Sequence, residues 1–195
     1  EIYSQNEESR PIAQIADKLH PWAAFIFAGS TFPKGYSSET GADMLLTNAA
    51  ADINKPRGSL ESLDDVTAIF KAQPEETMLN FLKASIKTNK EETEDIKKLH
   101  QAYSDGRFEE LIPLLEETEQ RTLKLVDTKY AKTMSDWLKN DLLIRRNLAW
   151  LPEIRKQSAK QSTLFAVGIA HLPSEKGLIE LLRQEGYQVT PEPKV

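Results

Sequence analysis

Apolar positions along the chain fall mostly at helical spacing. Ile12, Ile15 and Leu19 share one face of a segment that Pro11 opens and His20-Pro21 closes. Proline suits a first helical turn, and the residue before a proline is pushed out of the helical region. Trp22 to Ala28 is apolar all round, so periodicity cannot assign it; its alanines and the preceding Pro21 favour a buried helix. A Gly/Pro/Ser loop runs from Gly29 to Ser38, followed by a helix from about Gly41 to Asp52 with Met44, Leu45, Asn48 and Ala49 at helical spacing. Ser59-Leu60-Glu61-Ser62 reads as a short strand end entering a helix that Ser62 caps. Asp64 and Asp65 complement the dipole of its first turn.

From Asp64 to Ser162 the pattern is helical throughout, with separate helices expected at Pro74 to Thr88 and Lys90 to Tyr103, breaks at Pro74, Ser104-Asp105-Gly106 and Pro113, and a kink or restart at Pro152. Met78, Phe81, Leu82 and Ile86 form an apolar stripe that reads as core, and the charges of Glu91 to Lys98 read as a solvated face. The pattern changes at Leu164 to Val167, a short unbroken apolar run that reads as a buried strand. Beyond it a helix capped by Ser174 buries Leu178, Leu181 and Leu182 and ends on Gly186 as a left-handed cap. Tyr187 to Val189 then reads as a second strand returning beside the first. The fold expected is therefore α+β: mostly helical with a small sheet, closing in a strand–helix–strand unit. Residues 1–10 are a polar lead-in, residues 11–195 one domain, and residues 62–162 its helical portion.

Composition narrows what such a chain can do. The 195 residues suffice for one domain with a proper core. A net charge of -5 without any Lys/Arg run argues against a nucleic-acid partner, which needs a concentrated basic face, and against a basic membrane-surface helix. The longest apolar run, Trp22 to Ala28, is far short of the ~20 residues of a membrane span. No cysteine is present, so disulfides, thiolate nucleophiles and Cys-based metal sites are excluded. The chain begins at Glu1 with no methionine and no signal-like segment, and a removed upstream segment is expected.

Two places carry candidate chemistry. His171 lies in Gly168-Ile-Ala-His171, in the loop leaving the first expected strand, where ligands of open α/β sheets bind. It reads either as a metal-ligating or acid–base histidine, with Gly168 letting the backbone come close, or as a loop histidine bonding its neighbours. Leu142-Leu-Ile-Arg145-Arg146-Asn147-Leu-Ala-Trp150 places two arginines and an asparagine among aliphatic and aromatic residues. One arginine could clamp a buried Glu or an anionic substrate; alternatively Arg145 is exposed and Arg146 pairs with an acid for structure alone. No Gly-x-Ser-x-Gly elbow supports a serine hydrolase.

The segment from Phe165 through Gly168, His171, Ser174 and Gly177 to Gly186-Tyr-Gln-Val189 resembles the closing signature of the TraB/GumN family. Leu19-His-Pro-Trp22 with Gly41-Ala-Asp43, then Leu60-Glu61, then Arg146-Asn147 follow that family's order. The resemblance implies an EreA/ChaN-like fold related to the Tiki proteases, which act on Wnt and depend on a divalent metal. It also favours an extracytoplasmic setting in the periplasm or cell envelope. By resemblance Glu61, Arg146, Asn147 and His171 are the catalytic candidates, with Gly168 the structural glycine. His171 and Glu61 are the ligand candidates for Mn²⁺, Co²⁺ or Zn²⁺. The family has two Gly-x-x-His motifs, and this chain carries the second; neither His20 nor His100 has a glycine three residues before it. Ser174 stands where that family commonly has glycine.

Two functions are therefore expected in competition: a metal-dependent peptidase acting on a peptide or protein, or a non-catalytic peptide- or partner-binding module. Loss of a first strand would expose a sheet edge, and from it a homodimer is expected.

Overall fold

The computed structural model describes Ile12, residues 14–29, Ser37 and residues 40–191. The lead-in at residues 1–10 and most of the loop expected between Gly29 and Ser38 lie outside the described residues. Eight α-helices are present among the described residues: α1 (Pro21–Gly29), α2 (Ala42–Asp52), α3 (Leu63–Lys71), α4 (Glu75–Ser104), α5 (Phe108–Leu123), α6 (Thr128–Asp136), α7 (Arg145–Ser158) and α8 (Leu178–Gln184). A π-helical segment, Trp137–Ile144, leads into α7, and single 3-10 turns lie at Ala16–Lys18 and Ile169–His171. No helix among the described residues is long and apolar enough to cross a membrane.

The chain divides into two compact units, one of Glu1–Arg57 with Asp64–Ser135, the other of Gly58–Leu63 with Asp136–Val195. In the first, α4 is the spine against which α1 and α5 pack. Its stripe residues Met78, Phe81 and Ala84 are buried, and Phe25 of α1 places its ring 6.2 Å from that of Phe81 and 6.5 Å from that of Phe70. Pro74 ends as the N-cap of α4, and the break expected at Ser104 to Gly106 is there, with Gly106 at φ 69°. Two expectations fail within this unit. α4 runs unbroken for 30 residues, since nothing between Thr88 and Lys90 removes a backbone donor. Pro113 lies inside α5 without ending it, and its missing N–H forgoes one bond, to the Glu109 carbonyl.

The second unit overturns the expected fold class. No strand occurs among the described residues, so the chain is all-helical there and not α+β, and neither half of the strand–helix–strand unit forms. Leu164 to Val167 keeps the side-chain alternation of a strand without a ladder. Leu164 is 76% exposed, while Phe165 and Val167 are partly buried against the cluster of Trp150, Leu151, Ile154, Leu178 and Leu181. Their burial is satisfied by helices α7 and α8, with no need of a pairing strand. In the segment after Gly186 the backbone groups are already used: Tyr187 N–H donates to Leu182 O at 3.0 Å, and the Arg183 side chain donates to Val189 O at 3.2 Å. Gly186, at φ 90°, ends α8 as expected in a Schellman-type closure. The short strand expected at Ser59 to Ser62 is likewise a loop, leading directly into α3. With no sheet among the described residues there is no sheet edge among them, and the dimer expected from one has no basis there.

Candidate functional site: a carboxylate, a guanidinium and an imidazole

The second unit joins three segments distant in sequence. Leu60 packs partly buried against the α7–α8 cluster, which holds the next residue, Glu61, beside α7. On α7, Arg146 and Trp150 are one helical turn apart, and Asn147, Trp150, Leu151 and Ile154 are all buried. Each apolar side chain among them contributes about 1.5–3 kcal/mol by burial, which seats that face firmly. The third segment is the 3-10 turn Ile169–His171, in which His171 is only 6% exposed.

Arg146 grips Glu61 with a guanidinium fork: Nε donates to Oε2 at 3.0 Å and to Oε1 at 3.2 Å, and Nη2 to Oε1 at 2.5 Å. Trp150 Nε1–H donates to Glu61 Oε2 at 3.2 Å. On its other side Arg146 Nη1 donates to Leu142 O at 3.0 Å and lies 3.3 Å from His171 Nε2. The Arg146 guanidinium carbon is 5.0 Å from the centre of the Trp150 ring, and the His171 ring centre is 4.5 Å from the same ring. Arg145, by contrast, is exposed and pairs with Asp141 at 2.7 Å, one turn back.

The protonation state of His171 follows from Asn147. The Asn147 Nδ2 donates to Lys176 O at 2.8 Å and to His171 O at 3.3 Å. Carbonyls only accept, so the amide is oriented with Oδ1 facing His171 Nδ1 at 2.7 Å. Nδ1 must then carry a proton and donate it, which leaves Nε2 as an unprotonated acceptor for Arg146. Burial, then the adjacent Arg146 charge, push the His171 pKa down to about 4, against a smaller opposing pull from Glu61. The imidazole is neutral near pH 7.

The loop behind the histidine is shaped for this contact. Ser174 sits at φ 81°, in the left-handed region that favours glycine, which accounts for glycine being common there in the family this sequence resembles. At Gly177 a Cβ would stand 1.9 Å from Pro173 O and 2.4 Å from Leu172 O. Gly177, not Ser174, caps α8, which starts at Leu178. The left-handed turn of Ser174 precedes it and presents the Lys176 carbonyl to Asn147. At Gly168 a Cβ would meet only the His171 ring, at 3.7 Å, so the close approach expected there is ordinary contact.

All four catalytic candidates, Glu61, Arg146, Asn147 and His171, thus meet in one hydrogen-bonded cluster. Trp150 belongs to it too and is not picked out by sequence reasoning, although its position four residues beyond Arg146 puts both on one helix face. The divalent metal implied by resemblance does not fit these residues. His171 and Glu61 supply two donors where a catalytic ion takes about three. No group of three or more such side chains occurs among the described residues, and no buried side-chain polar atom there lacks a partner. The guanidinium of Arg146 already stands between the two donors.

The profile of the TraB/PrgY/GumN family matches residues 4–191, and the chain belongs to that family. No curated protein and no solved structure matches it.

Proposed function

We propose that this TraB/GumN-family chain serves as a non-catalytic module that binds a peptide or protein partner. The observation that carries the reading is the saturation of the cluster. Both carboxylate oxygens of Glu61 are held by Arg146 and Trp150, and both ring nitrogens of His171 have partners. Such groups brace a fold; they are not free to receive a substrate. Support for binding comes from α2, which has no buried residue. Met44, Leu45 and Leu46 on it, and Ile53 just beyond, are 41–65% exposed, as on surfaces that dock a partner. Incubating the chain with a peptide library and Mn²⁺, Co²⁺ or Zn²⁺ is expected to give no turnover. Turnover that a chelator stops would overturn the reading.

One observation favours the family's other reading, a metal-dependent peptidase. His171 presents an unprotonated Nε2, with Nδ1–H anchored by Asn147, the arrangement typical of metal-ligating histidines. That reading requires turnover to disappear in His171→Ala while the variant still folds.

A further inference from the structure

Beyond partner binding, and independently of it, the cluster accounts for its own lack of room for a metal. A divalent ion between a carboxylate and an imidazole lone pair contributes positive charge to the first and an acceptor for the second. Arg146 meets both needs. Its Nε and Nη2 face Glu61, its Nη1 faces His171 Nε2 at 3.3 Å and also holds Leu142 O, and its planar body lies over Trp150. With its side chain 22% exposed, it is fixed from Nε to Nη2 by groups of one compact unit. An ion approaching His171 Nε2 would have to displace this contact and then lie beside a guanidinium that does not deprotonate. Two protein ligands supply too little to offset that repulsion.

We propose that the Arg146 guanidinium is the resident cation of the Glu61–His171 pair, occupying the position a divalent ion would take, so that the charge at residue 146 decides whether the pair accepts a metal. His171 is then a positioning residue for the guanidinium, and Glu61 its counter-ion.

Cobalt(II) alone serves as the probe, followed by calorimetry and by the visible absorption of the bound ion. The unaltered chain shows no cobalt site that depends on His171. Arg146→Met keeps a long side chain against Trp150 but removes the charge, and raises cobalt affinity at least about tenfold, as expected when a carboxylate and a neutral imidazole become available. The double variant Arg146→Met/His171→Ala loses that gain. Arg146→Lys, which keeps the charge, behaves as the unaltered chain does, a result that looser packing alone would not produce. A His171-dependent cobalt site in the unaltered chain as tight as that in Arg146→Met overturns the proposal. So does a folded Arg146→Met variant that gains nothing. Should circular dichroism show Arg146→Met unfolded, the ¹⁵N resonances of the His171 ring in the unaltered chain decide under Zn²⁺ titration. An unmoved Nε2 supports the proposal, and a shifted Nε2 overturns it.

Discussion

In the first unit Asp95, buried on α4, receives Arg121 of α5 at 2.7 Å and the Thr118 hydroxyl at 3.1 Å. In the second, Glu61 receives Arg146 and the Trp150 indole. Both are partly buried carboxylate–guanidinium pairs, yet their surroundings differ. Asp95 and Arg121 are 26 residues apart on consecutive helices, and Arg121 also reaches Glu117 on its own helix. That pair stitches one helix to the next. Glu61 and Arg146 are 85 residues apart, and the far side of Arg146 is taken by a neutral histidine. The second pair joins three segments and sets a protonation state, so disturbing it reaches further than the loss of one ion pair.

The largest effect is expected where no charge is touched. Gly177→Ala drives a Cβ into the Pro173 carbonyl, displaces the loop that gives Lys176 O to Asn147, and costs about 3 kcal/mol or more. Amide exchange of α7 and α8 residues would register it. Next comes a contrast between the pairs. Glu61→Ala strands Arg146 and the Trp150 N–H and costs about 3 kcal/mol. Asp95→Ala leaves an Arg121 side chain that is 31% exposed and still paired with Glu117, and costs about 1–2 kcal/mol. Denaturant titrations of the two variants would show whether that order holds.

The second unit is also sensitive to acid through His171. The His171 pKa is about 4 when folded, against the ordinary 6.5, so the unfolded chain binds the extra proton between those values. The stabilisation is fully present above about pH 6.5 and is lost as pH falls toward about 4. It amounts to on the order of 3 kcal/mol. His171→Gln should flatten this slope. The smallest effect is a gain: Ser174→Gly relieves a left-handed serine and stabilises by about 1 kcal/mol in thermal melts.

These differences also mark what the sequence could and could not disclose. Helical spacing located the long helical region, the start of α2 after Gly41 and the end of α8 at Gly186, because each is set by local backbone and burial rules. Leu164 to Val167 has strand-like composition without forming a strand, because a strand needs a partner that no single segment can announce. Pro113 does not end α5, nor Pro152 α7, because a proline costs a helix one backbone bond without having to end it. At the site, Glu61, Arg146, Asn147 and His171 were legible as candidates through their motifs, and they converge. What they do once converged depends on distances: the fork on Glu61, the orientation of Asn147 and the contribution of Trp150. The π-helical turn preceding Arg145 was invisible, since Trp137 to Ile144 reads as ordinary helix.

The hydrogen bonds of the cluster require a neutral His171 with its proton on Nδ1 and its lone pair facing Arg146. A long-range ¹H–¹⁵N correlation spectrum of the histidine rings at pH 7 tests this directly. The result expected is one ring with a protonated Nδ1 and an unprotonated Nε2, unchanged as pH is lowered to about 5 and lost in His171→Gln. An imidazolium at pH 7, or a ring protonated at Nε2, would contradict it.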